Sequence, residues 1–181
     1  MTNFTDPWHM QRTLMEASAQ TLPVTPELNK GGLLYAALTM EELSETMFVL
    51  AAALQKAEPA ALGTPLARIR DIFQQAATQL HHHSLNARDI LGSAINDNFR
   101  ITLEEADVVE LADGTTDVAV TNSGFALSLG LDGAACYAEV AGSNLSKRNP
   151  DTGRIDKTAD GKWIKGIAFE KPNLRKTIFG E

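Results

Sequence analysis

A chain of 181 residues, 44% of them apolar, is long enough to enclose one compact core. Its 23 acidic residues against 16 basic ones give a formal charge of −7, which argues against a nucleic-acid surface built on a basic patch. A single cysteine, Cys136, rules out an intrachain disulfide framework, no run approaches the length of an apolar membrane span, and Met1 to His9 lack a basic, apolar leader. A cytoplasmic protein with no membrane partner is expected.

In chain order, residues 7–20 read as a first helix, with Pro7 suited to its opening turn. After the turn signals Pro23 and Pro26, a long helix is predicted from about Glu27 to Lys56, carrying Gly31 and Gly32 near its start. The stretch 57–65 reads as a loop. Leu66, Ile69, Phe73, Ala76 and Leu80 then recur at helical spacing and predict an amphipathic helix over 66–83. A shorter helix is predicted around Ala87–Ile95. Thr102 followed by Glu105 has the spacing of a capping box and opens another long helix, ending near Gly130. Asp132 is placed to cap a helix running to about Asn144. Beyond Lys147, the pairs Asn149-Pro150, Thr152-Gly153 and Asp160-Gly161 signal turns, hence a loop or small β-hairpin. The expected fold class is all-α: a helical bundle with a C-terminal loop or small β-hairpin, in one domain.

The placement of acidic residues points to chemistry. Leu38, Glu42, Glu45, Val49 and Ala52 share one side of the second helix. With Leu38, Val49 and Ala52 turned to the core, Glu42 and Glu45 interrupt an apolar stripe, where an uncompensated carboxylate is costly and a bound cation relieves the cost. Ala106, Glu110, Asp113, Asp117, Val120 and Gly124 repeat the pattern on the helix after Thr102. Carboxylates at i and i+3 project side by side. Two such helices offer four oxygen ligands, a set suited to Mg²⁺, with Mn²⁺ as a substitute. A phosphate-bearing substrate is compatible with the acidic balance when such a cation bridges the two. The competing reading is a non-enzymatic helical interaction module whose acidic faces are solvated. A carboxylate di-iron bundle is disfavoured because no Glu-x-x-His occurs, and a phosphate loop of the Walker type is absent. His81, His82 and His83 read as solvated residues near a helix end.

Glu41-Glu42-Leu43-Ser44-Glu45 and Glu110-Leu111-Ala112-Asp113 resemble the Glu-Glu-x-x-Glu and Glu-x-x-Asp hallmarks of the all-α nucleotide pyrophosphatase superfamily, which includes MazG-like proteins, dimeric dUTPases and phosphoribosyl-ATP pyrophosphatases. Asn144-Leu145-Ser146-Lys147 is similar to the Asn-x-x-Lys segment of virus-type MazG-like proteins. The run from Trp8 to Gln20 and the tail Gly161-Lys162-Trp163-Ile164-Lys165-Gly166 look like the same subgroup. The resemblance spans most of the chain except about 57–100, so a helical insertion there, within a single domain of residues 1–181, is expected. Glu104 and Asp107 form a rival second pair. Glu110 and Asp113 are preferred because Asp117 continues their face.

The resemblance implies Mg²⁺-dependent cleavage of a nucleoside triphosphate between its α and β phosphates, giving a monophosphate and pyrophosphate. A phage-type enzyme acting on (d)GTP, dUTP or dCTP fits the subgroup. On this basis Glu42, Glu45, Glu110 and Asp113 would hold the metal, and Glu41 would orient or deprotonate the attacking water. Lys147 would contact phosphate and Asn144 phosphate or sugar, with Lys165 joining from the tail. Asp117 would assist the metal or substrate, and Trp8 would stack on the base. Superfamily helices pack across subunits, so a homodimer or homotetramer is implied.

Overall fold

The computed structural model describes residues 6–20, 22, 23, 25–57, 64–158 and 162–180. The fold is all-α, with six helices and one two-stranded sheet among the described residues. No helix among them is long and apolar enough to cross a membrane. The chain forms two compact units, one continuous (Leu28–Ile101) and one assembled from the flanking segments Met1–Glu27 and Thr102–Glu181.

The continuous unit is an antiparallel helical hairpin of α2 (Lys30–Ala57) and α3 (Pro65–Ser93). Asn29 caps α2, its Oδ1 accepting the Gly32 N–H at 3.0 Å. Gly31 suits this cap, because a Cβ there would come within 3.2 Å of the same oxygen. Thr64 caps α3 through its hydroxyl, which accepts the Ala67 N–H at 3.1 Å, and Pro65 fills the first helical position.

The seam between the helices is set by small residues at heptad spacing. Ala37, Ser44 and Ala51 are buried on α2, and Ala77 and Ser84 on α3, with the larger Leu91 one heptad further. Small side chains let the two backbones come close, so the Ser84 hydroxyl donates directly to the Ala37 carbonyl at 2.8 Å. That contact explains why α3 is one helix and not the predicted pair. Ser84 and Asn86 weaken the local helical signal, but packing on α2 supplies what propensity does not. At the open end, Lys30 donates to the Ile95 carbonyl at 2.9 Å and to Asp97 at 2.7 Å. There β1 (Glu27–Asn29) pairs with β2 (Arg100–Thr102). The predicted loop at 57–65 falls mostly outside the described residues.

In the second unit, α1 (Pro7–Ala17) starts on an Asp6 cap and buries Met10, Leu14 and Ala17 along one stripe. It stops short of residue 20 because Ala19 turns left-handed at φ 53, and the Gln20 N–H returns to the Met15 carbonyl at 2.9 Å. The long helix α4 (Glu105–Ser128) and α5 (Gly133–Leu145) match their predicted spans to within a few residues. The capping box of α4 lies two positions later than expected, on Glu104 and Asp107. Asp132 caps α5 as predicted, accepting the Ala135 N–H at 3.0 Å.

The core joins Met10, Leu14 and Ala17 to Ala141 and Ile155, with Tyr137, Leu145 and Trp163 against its edge. Tyr137 donates its hydroxyl to the Pro7 carbonyl at 3.0 Å and ties α1 to α5. Burial, with the Asp6 carboxylate nearby, pushes the Tyr137 phenol above its ordinary pKa. The tail makes the expected small hairpin as two antiparallel bridges, Arg148 with Ile155 and Lys157 with Trp163. Its predicted Asp160-Gly161 turn lies outside the described residues. A short sixth helix, α6 (Leu174–Phe179), follows on an Asn173 cap and was not predicted.

Candidate functional site

Glu42 and Glu45 sit side by side on α2, but not on its buried side. Both are exposed. Their stripe includes Val49, 69% exposed, and Ala52, also exposed, whereas α2 meets α3 through Ala37, Ser44 and Ala51. The expectation that Val49 and Ala52 face the core is therefore corrected, while Leu38 is half-buried. Close helix approach selects the stripe of smallest residues, and the bulkier apolar stripe is left outside. Glu42 and Glu45 lie on an exposed, largely apolar face.

Glu41 is the acid that enters the seam. Its carboxylate is 13% exposed and accepts from Arg88 Nη1 at 2.8 Å; the arginine side chain is 8% exposed. An ion pair this far from water is held in place, because removing either partner strands the other's charge. Glu41 is thus fixed on the hairpin by a residue of the unmatched 57–100 stretch, which sequence reasoning did not single out. His81, His82 and His83 lie on α3 well before its end and are exposed as expected, with His82 within 3.1 Å of the Asn86 amide.

Glu110, Asp113 and Asp117 form one exposed face of α4, a helix that buries none of its residues. They do not interrupt a buried stripe within the chain. The rival pair has another job: Asp107 Oδ2 accepts the Glu104 N–H at 3.4 Å, and both acids serve the start of the helix. Glu110 and Asp113 have no such capping duty. Trp8, in the first turn of α1, is 72% exposed and does not pack between helices.

The best-built cluster is where α5 ends and the tail returns. Glu139, Ser143 and Ser146 line one side of α5 and hold the tail by its backbone. Glu139 Oε1 accepts the Asn173 N–H at 2.6 Å, the Ser143 hydroxyl donates to the Glu170 carbonyl at 2.7 Å, and Ser146 Oγ accepts the Glu170 N–H at 2.8 Å. Gly166 passes so near α5 that a Cβ would sit 3.3 Å from the Lys147 carbonyl oxygen. This brings together Asn144, Lys147 and Lys165. Lys147 Nζ donates to Asn144 Oδ1 at 2.7 Å and lies 5.6 Å from the Trp163 ring centre. The half-buried Lys157 has its ammonium destabilised by burial, which lowers its pKa.

Three of the residues expected to bind substrate are thereby neighbours. Among the described residues no group of three or more histidine, cysteine or acidic side chains is arranged to hold a metal ion. The acid pairs nonetheless fit Mg²⁺ in donor type, since all are carboxylate oxygens on exposed helix faces with room for retained waters. Compared with known proteins, the chain matches no family model, no curated protein and no solved structure.

Proposed function

We propose that the protein is a nucleoside triphosphate pyrophosphohydrolase that uses Mg²⁺ to cleave between the α and β phosphates, releasing a monophosphate and pyrophosphate. The observation that carries the reading is the convergence of Asn144, Lys147 and Lys165, which supplies cationic and amide donors for a phosphate chain in an otherwise acidic protein. Glu42 with Glu45, and Glu110 with Asp113, would hold Mg²⁺, each pair contributed by the same or a neighbouring subunit. Bound there, Mg²⁺ supplies charge neutralisation at phosphate oxygens and acidification of a coordinated water. Glu41, fixed by Arg88 but with 13% of its side chain still open to solvent, would orient the attacking water through that open edge. Asp117 stands one turn beyond Asp113 to support the metal or substrate, and the exposed Trp8 is available to stack on a base.

The reading includes self-association. A helix of 24 residues that buries none of them needs a partner for its apolar side chains, because packing supplies most of a helix's stability. We assign that partner to further copies of the chain, as a homodimer or homotetramer in the cytoplasm. Deoxynucleotides of guanine, uracil or cytosine are the first substrates to try.

The exposure of Glu42 and Glu45 is also what the interaction-module alternative requires. Calorimetric titration with Mg²⁺ separates the two. A pyrophosphohydrolase binds the ion and loses that binding in Glu45→Ala; a module with solvated acids shows neither effect. For an enzyme, Glu45→Gln lowers turnover of the preferred triphosphate by on the order of a hundredfold or more.

A further inference from the structure

The cluster at the end of α5 contains two aromatic rings that the proposed reaction does not use. Phe169 lies under two cations at once: Lys147 Nζ is 5.9 Å from its ring centre and Lys165 Nζ is 5.0 Å away. Trp163 carries Lys147 as well, at 5.6 Å. A ring draws an ammonium to its face through its quadrupole, and the attraction is strongest where water is thinned. Phe169 and Trp163 are both half-buried, whereas Lys165 is exposed.

The chain path makes this arrangement specific. The Phe169 N–H closes a turn onto the Gly166 carbonyl at 3.1 Å, folding Lys165 back beside the ring. Ser143 and Ser146 grip Glu170, the next residue, so the ring cannot drift from the end of α5. Lys157 is bridged to Trp163 across the tail hairpin, and directly opposed residues of an antiparallel pair share a face. Neither Lys157 nor Lys165 has a carboxylate partner among the described residues. Two ammonium groups, Lys147 and Lys165, are therefore gathered on one ring, with Lys157 on the strand opposite Trp163, and an anion with several charged oxygens relieves the repulsion between like charges.

We infer that Phe169 and Trp163 are positioning residues that present Lys147 and Lys165 as one clamp for a polyphosphate chain. The inference rests on the proposed triphosphate substrate only for its ligand class. It needs neither Mg²⁺, nor a nucleoside, nor hydrolysis. Phe169 acts through the lysines and does not itself touch phosphate.

The test is calorimetric titration of the full chain with inorganic tripolyphosphate, in chelator and at low salt. The wild-type chain binds. Phe169→Leu keeps an apolar side chain but removes the ring, and weakens binding by about fivefold to tenfold. Phe169→Tyr restores it. Lys165→Gln, at an exposed position that the fold does not need, weakens binding and flattens its salt dependence by about one ion. The clamp is overturned if the wild-type chain ignores tripolyphosphate, if Leu at position 169 binds as tightly as Phe, or if Tyr fails to rescue. Should Phe169→Leu not fold, unchanged affinity in Lys165→Gln overturns it instead. A chain that binds tripolyphosphate yet turns over no nucleotide keeps the clamp and loses the pyrophosphohydrolase reading.

Discussion

The hairpin of residues 28–101 and the junction between α5 and the tail solve the same problem, holding charged side chains in place, by opposite means. The hairpin runs small residues down a heptad seam and locks one buried pair, Glu41 with Arg88, inside it. Its precision comes from close backbone approach. The junction adds to its share of the apolar core a set of side chains that bind backbone, from Glu139, Ser143 and Ser146 to residues 170 and 173. Its lysines range from half-buried to exposed, and Lys147 and Lys165 lean on aromatic rings. A buried pair tolerates no loss of a partner, whereas a partly solvated cluster loses function before it loses stability.

That contrast is sharpest under substitution of the arginine. Arg88→Ala leaves the Glu41 carboxylate in the seam without its guanidinium and should destabilise the hairpin by about 3–5 kcal/mol, read as a shifted denaturant midpoint. Glu41→Leu together with Arg88→Met should cost much less, because no charge is stranded. Equal losses in the single and double variants would mean that the pair is not what organises the seam.

Within the other unit a middling effect is expected at Tyr137. Tyr137→Phe removes the bond to the Pro7 carbonyl and should cost about 1 kcal/mol. Because burial raises this phenol's pKa, its contribution is complete below about pH 10, the unfolded value, and is lost as pH rises through the higher folded value. The wild-type advantage over the Phe variant should therefore shrink only in strong alkali. A difference that varied between pH 6 and 8 would contradict this.

Lys157 should give the smallest effect and the opposite sign. Burial depresses its pKa, so the folded chain binds fewer protons than the unfolded one between the two values. The penalty for holding an ammonium there is full below the folded pKa and fades as pH rises towards the unfolded value of about 10.4. Lys157→Met should raise the melting temperature slightly at neutral pH, with the gain disappearing in alkali. A loss of stability at pH 7 would show that the ammonium has a partner in the fold.

Much of this architecture could be read from sequence wherever a local signal agreed with the final packing. Pro7, Asp132 and the prolines after residue 20 marked element ends, and the tail's Asn149 and Gly153 announced a turn that forms. Two misreadings lie on the seam of the hairpin, where helical spacing alone does not say which stripe is buried. Leu38, Val49 and Ala52 looked like a core stripe, but Ala37, Ser44 and Ala51 won because they permit closer helix contact. The break placed near Ser84 failed for the same reason, since Ser84 is a seam residue bonded to the opposite helix. At the candidate site, the motif residues Asn144, Lys147 and Lys165 were legible. Phe169 was not, because its place beside two lysines depends on a turn at Gly166 and on serines more than twenty positions earlier. Arg88 was missed because its partner lies 47 residues away.

The central claim concerns which bond is broken. Each natural nucleoside triphosphate and deoxynucleoside triphosphate should be incubated with the chain and Mg²⁺, and pyrophosphate and orthophosphate measured separately. The account predicts pyrophosphate and monophosphate in equal amounts from at least one of them, with no early orthophosphate. Orthophosphate as the first product, or no product from any nucleotide, would contradict it.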